Sequence, residues 1–139
     1  MDRARLARDD GSFRDGGAAF EERRDTLALS VLIPELSPTD LDAWRRDASR
    51  LAPFVVDVRE PWEHDKARIE GATLIPMREI PARIGELPED REIVLVCHHG
   101  SRSAQVAQWL ARNGVGRVHN LAGGIDAWSR LVDPAIPRY

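Results

Sequence analysis

The chain of 139 residues has one cysteine, Cys97, so no internal disulfide can brace it. It also lacks an excess of positive charge. Its 23 Asp and Glu outnumber 20 Lys and Arg, for a formal net charge of -3. The charges are scattered, which leaves no broad cationic face for nucleic acid or acidic lipid. Long apolar runs are missing as well, since "LALSVLI" and "IVLV" fall far short of the roughly 20 residues that span a bilayer. The opening "MDRARLARDDGSFRDGG" has no apolar core of a secretory signal. These absences predict a soluble, cytoplasmic protein with no nucleic-acid and no membrane partner. With 42% hydrophobic residues, the length suits one compact domain.

Residues 1–26 are rich in Arg, Asp, Glu and Gly with little apolar periodicity, and are expected to form a mobile arm. One domain over 27–133 and a short solvated tail over 134–139, "PAIPRY", are expected to follow. Within the domain, "TLALSVLI" reads as a short strand. "LSPTDLDAWRRDASRL" reads as a helix capped by Ser37, with Pro38 in its first turn and Leu41, Trp44, Ala48 and Leu51 at helical spacing, stopping near Pro53. "FVVDV" and "EIVLV" are near-continuous apolar runs rich in β-branched residues, the pattern of strands buried on both faces. "TLIP" reads as a brief strand, and Pro81 limits "REIPARIGELP" to short helical turns. "RSAQVAQWLARNG" predicts a helix with Gly114 as its C′ residue, "RVHNL" a last strand and "GGIDAWSRL" a last helix. This alternation predicts an α/β fold: a mainly parallel central sheet flanked by helices on both faces.

Cys97 then lies at the carboxyl end of a central strand, where open α/β sheets bind ligands. A cysteine thiol, with its ordinary pKa of about 8.5, is mostly protonated at neutral pH, and only the thiolate is a nucleophile. A helix beginning near Arg102 or Ser103 would aim its free N–H groups at the sulfur. A tight turn at Gly100 would add further backbone donors, Arg102 a full charge, and Ser101 and Ser103 hydroxyls. The loop from Cys97 to Ser103 therefore reads as an anion-binding cradle around a nucleophile. His98 and His99 are expected to shape its wall or donate to a bound anion. No metal is expected, because His64 and His119 are remote in sequence and no second cysteine accompanies them.

"FVVDVREPWEHDKARIEGATLIPM", "LVCHHGSRSAQVAQWLARNGV" and "VHNLAGGIDAW", in that order, resemble the three motifs of the rhodanese family of sulfurtransferases over about 30–131. The resemblance implies a single rhodanese-like domain that needs no cofactor. Cys97 would take the outer sulfur of thiosulfate or a related donor as a persulfide and pass it to cyanide, a thiol or a sulfur-carrier protein. It further implies that Arg102 anchors the donor anion, that backbone N–H groups from His98 to Ser103 hold the transferred sulfur, and that Arg59 lies near the site. Asp57 is expected to be structural, Glu60 and Trp62 scaffold, Trp128 a core or rim aromatic, and Gly123 with Gly124 the turn into the last helix. Where many members read Gly-His before Ile-x-Gly-Ala, this chain has Ala67 and Arg68, which implies a stiffer and more cationic loop.

Two other readings compete. A non-catalytic docking or sulfur-sensing module of the same fold would not need a complete loop. A cysteine phosphatase or arsenate reductase would place five residues between cysteine and arginine, whereas four separate Cys97 from Arg102.

Overall fold

The computed structural model describes residues 32–139. The arm over 1–26 lies outside the described residues, as does most of the expected strand in "TLALSVLI". Leu32 and Ile33 are not in a strand; the first described one is β1, Glu35–Leu36. It is followed by α1 (Pro38–Arg46), β2 (Phe54–Asp57), α2 (Pro61–Lys66) and β3 (Thr73–Leu74). A 3-10 turn (Met77–Glu79), the short α3 (Ile80–Arg83) and a second 3-10 turn (Ile84–Glu86) lead to β4 (Ile93–Val96). The chain ends with α4 (Ser101–Arg112), β5 (Val118–Leu121) and α5 (Gly124–Leu131).

The five strands are ordered β1-β5-β4-β2-β3 and every pairing is parallel. Alternation along the central strand divides its side chains between two cores. Ile93, Leu95 and Cys97 join Val56 and Val58 under Val106, Ala107, Trp109 and Leu110 of α4. Val94 and Val96 join Val55 beneath Leu41 and Trp44 of α1 and Ile125 and Trp128 of α5. All four β4 residues are buried, at about 1.5–3 kcal/mol for each large aliphatic side chain. This two-sided burial fixes β4 as a rigid platform, and Cys97 extends it by one residue.

Ser37 Oγ accepts from Asp40 N at 3.1 Å and Pro38 opens the helix, as the sequence predicts for α1. The helix ends early, however, at Arg46 rather than near Pro53. The Asp47 carboxylate accepts from the backbone N of Ser49 at 2.9 Å and from its hydroxyl at 2.6 Å, a local turn that competes with further helix. Leu51 is consequently exposed, although its carbonyl accepts from Trp44 Nε1 at 3.1 Å. At the end of α4, Val115 N donates to Leu110 O (2.9 Å) and Gly114 N to Ala111 O (3.4 Å), the paired bonds of a Schellman stop. Among the described residues no helix is long and apolar enough to cross a membrane.

Candidate active site

Directly after β4 the chain turns through Cys97–Gly100 into α4. Cys97 is 1% exposed, and its Sγ accepts from the backbone N of Gly100 at 3.1 Å and of Ser103 at 3.3 Å. Gly100 has φ +108, a left-handed conformation suited to glycine, and this turn points its N–H back at the sulfur. Both donors lie at the N-terminus of a twelve-residue helix, an arrangement suited to anions. The loop is pinned from its other side by α5. Ile125 N donates to Cys97 O (2.9 Å) and Asp126 N to His98 O (3.1 Å). A Cβ on Gly124 would lie 2.4 Å from both of those carbonyl oxygens, so only glycine permits this approach.

Sequence reasoning placed the Ser103 hydroxyl at the loop but missed Asn120 and Glu35 behind it. Ser103 Oγ lies 3.2 Å from Cys97 Sγ and 2.6 Å from Asn120 Oδ1. Asn120 Nδ2 donates to the Glu35 carboxylate (3.0 and 3.1 Å) and to Gly100 O (3.1 Å), which fixes the orientation of the amide. Because Oδ1 can only accept, the Ser103 hydroxyl gives its single hydrogen either to Asn120 or to sulfur. No local signal marks this support, since Asn120 stands in the short strand "VHNL" as an ordinary polar residue.

Arg102 leaves the first turn of α4 and meets Glu63 of α2 in a two-pronged pair, Nη1–Oε1 2.8 Å and Nη2–Oε2 2.9 Å. Its side chain is 36% exposed while that of Glu63 is 5% exposed. Burial works to raise the Glu63 carboxyl's pKa. Bonds from Arg102, the Glu60 backbone and the Tyr139 hydroxyl outweigh that and hold it at about 2. The same pair raises the pKa of Arg102.

Arg59 does not face the thiol. It is wholly buried, and all five of its N–H groups are spent. Nε and Nη2 donate to the Asp57 carboxylate at 2.8 and 2.6 Å, and Nη2 also donates to Ala67 O at 2.5 Å. Nη1 donates to Glu63 O at 3.3 Å and to the Tyr139 hydroxyl at 2.6 Å. No donor is left for a ligand, so the expectation of a substrate contact at Arg59 gives way to a structural role beside Asp57. His64 Nδ1 lies 2.9 Å from the same Asp57 carboxylate. Ala67 is buried and supplies its carbonyl to Arg59, whereas Arg68 is exposed.

Four of the six tail residues, Pro134, Ala135, Pro137 and Arg138, are exposed, yet the tail is tied to the domain. Ser129 Oγ donates to Ile136 O at 2.6 Å, and Arg138 pairs with Asp126 at 2.9 Å. Tyr139 lies flat on His98, with centroids 4.0 Å apart and planes within 5°, and His98 in turn stacks on His99 at 3.9 Å. Burial and the neighbouring His99 lower the pKa of His98, while burial pushes that of Tyr139 up to about 12. His99 and Ser101 are exposed at the rim. Among the described residues, His98, His99 and Asp126 are the group whose ligand atoms lie within 4.8 Å of one another. Its carboxylate is already committed, since Asp126 pairs with both Arg138 and Arg130.

Residues 37–131 match the family model of the rhodanese-like domain. A sulfurtransferase of Allochromatium vinosum is 46% identical over 77 residues, 55% of this chain and 72% of that protein. The thiosulfate sulfurtransferase GlpE of Shewanella oneidensis is 35% identical over 74 residues, 53% of this chain and 73% of its own length. Several other matched relatives are longer, and the chain spans only 30% or 29% of their length. The crystal structure of a Staphylococcus saprophyticus protein superposes with a TM-score of 0.66 at 32% identity, covering 76% of this chain and 99% of that one.

Proposed function

The chain belongs to the rhodanese-like domain family, and on that premise we propose that it is a sulfurtransferase working through a Cys97 persulfide. The observation that carries this reading is the sulfur itself, held by the N–H groups of Gly100 and Ser103 at the start of α4. Those donors are hydrogen-bonded to the attacking atom itself, the arrangement that supports charge stabilisation during sulfur transfer. In the first half-reaction the Cys97 thiolate attacks the outer sulfur of a thiosulfate-like donor. A new S–S bond forms, the donor's S–S bond breaks, and sulfite leaves with the bonding pair. In the second, cyanide or a thiolate attacks the outer persulfide sulfur and the Cys97 thiolate departs, restoring the enzyme. In the cell the acceptor is a small thiol or a sulfur-carrier protein.

Arg102 supplies the positive charge for the donor. Its pairing with Glu63 sets the guanidinium in one orientation while keeping it partly exposed. Four residues between cysteine and arginine make a smaller cradle than a phosphatase loop, which suits a persulfide better than a tetrahedral phosphate.

The test is thiocyanate formation from thiosulfate and cyanide, with intact mass recorded after thiosulfate alone. Wild type is expected to turn over and to gain one sulfur atom, and Cys97→Ala to do neither. Turnover retained in Cys97→Ala would overturn the mechanism. A wild type that never gains sulfur from thiosulfate or from a low-molecular-weight persulfide would overturn the function.

A further inference from the structure

Three elements of the site meet on Tyr139. Its hydroxyl accepts from Arg59 Nη1 at 2.6 Å. Arg59 has no lone pair to accept with, so the phenol's own proton must go elsewhere, and Glu63 Oε2 receives it at 2.9 Å. That same Oε2 also accepts from Arg102 Nη2. The hydrogen bonds therefore converge on Glu63: from the buried Asp57–Arg59 pair Arg59 donates to Tyr139 and Tyr139 to Glu63, while Arg102 donates to the same carboxylate from the other side. The face of the ring lies on His98, the residue immediately after Cys97. Trp62 closes its edge at 6.0 Å.

We propose that Tyr139 is a positioning residue for anion recognition, holding Glu63, and through it the Arg102 guanidinium, in the orientation that greets a negatively charged reagent at Cys97. This deepens the reading of Arg102 as the donor anchor and rests on it. Glu63 has three partners competing for two oxygens: Arg102, the Glu60 backbone N at 3.0 Å and Tyr139. Loss of the phenol leaves Oε2 short of a donor and free to swing with its arginine. The fold survives the loss, because the Asp57–Arg59 pair does not depend on the hydroxyl.

The experiment needs no sulfur chemistry. Alkylation of Cys97 by iodoacetamide, which is neutral, and by iodoacetate, an anion of similar size, is timed by intact mass. The ratio of the two rates reports the positive charge that faces the thiol. Arg102→Ala sets the floor of that ratio. Tyr139→Phe, which keeps the ring and removes only the hydroxyl, is expected to lower the ratio toward that floor by about fivefold, with the iodoacetamide rate near wild type. Tyr139→Ala also removes the stack and is expected to lower it at least as far; should that variant unfold, Tyr139→Phe alone decides. A wild-type ratio in Tyr139→Phe, or a parallel fall in both rates, overturns the proposal, as does a wild-type ratio in Arg102→Ala. If the ratio falls as expected but wild type transfers no sulfur, the positioning role stands and the proposed function fails. If sulfur is transferred and the ratio does not move, the reverse holds.

Discussion

Two arginine–carboxylate pairs meet at Tyr139, and they have opposite characters. In Asp57–Arg59 both side chains are buried and every guanidinium N–H is committed to the protein. In Glu63–Arg102 the acid is buried but the arginine is over a third exposed. The sequence pattern is much the same in each case, an arginine beside a strand end with an acid within reach. What separates them is where the backbone places the guanidinium. Arg59 follows β2 and turns inward beneath α2, whereas Arg102 sits on the first turn of α4 and reaches Glu63 with its side chain 36% exposed. A saturated, buried pair carries the fold, and a pair with one exposed partner can carry recognition.

The largest test of this contrast is stability. Arg59→Ala strips a fully buried carboxylate of its main partner and is expected to cost about 3–5 kcal/mol in urea denaturation. A cost near that of a surface pair would break the comparison. Arg102→Ala leaves Glu63 the Tyr139 hydroxyl and the Glu60 N–H, so its unfolding midpoint is expected to stay far closer to wild type. Its effect should instead fall on KM for thiosulfate, raised about tenfold with kcat less affected, as expected for loss of a charge-assisted contact. A tenfold change confined to kcat would place the arginine in the chemical step and not in binding.

The smallest expected effect is on pH dependence. Glu63 ionises at about 2 when folded against an ordinary 4.5, so its pair adds stability that is fully present above about 4.5. That contribution drains away as pH falls from 4.5 toward 2, where the folded carboxyl takes up its proton. Glu63→Gln should therefore show a flatter loss of stability over this window than wild type, read by thermal unfolding at a series of pH values. An equally steep loss in the variant would assign the acid sensitivity to other carboxylates.

Much of the Cys97 loop is legible in the sequence. Apolar periodicity places Cys97 at the end of β4, and the residues after it read as a tight turn entering a helix. The end of α1 is not legible, because Asp47 and Ser49 close a local turn that outcompetes the apolar spacing of Ala48 and Leu51. Asn120 and Glu35 are not legible either. Each is an ordinary polar residue on a short strand, and their meeting spans 85 positions in sequence.

By itself, then, the sequence determined the order of strands and helices except for α2, which it left as a polar loop, and it marked Cys97 and the turn around it. Those features rest on side-chain periodicity, chain stiffness and capping over a few neighbouring residues. Only the tertiary structure decided that Arg59 is spent and Arg102 is not, and that the tail returns to lay Tyr139 on His98. The contacts of Tyr139 with Arg59 and Glu63 reach across 80 and 76 positions. Such partners are chosen by which surfaces the packed sheet brings face to face, and local sequence carries no record of that choice.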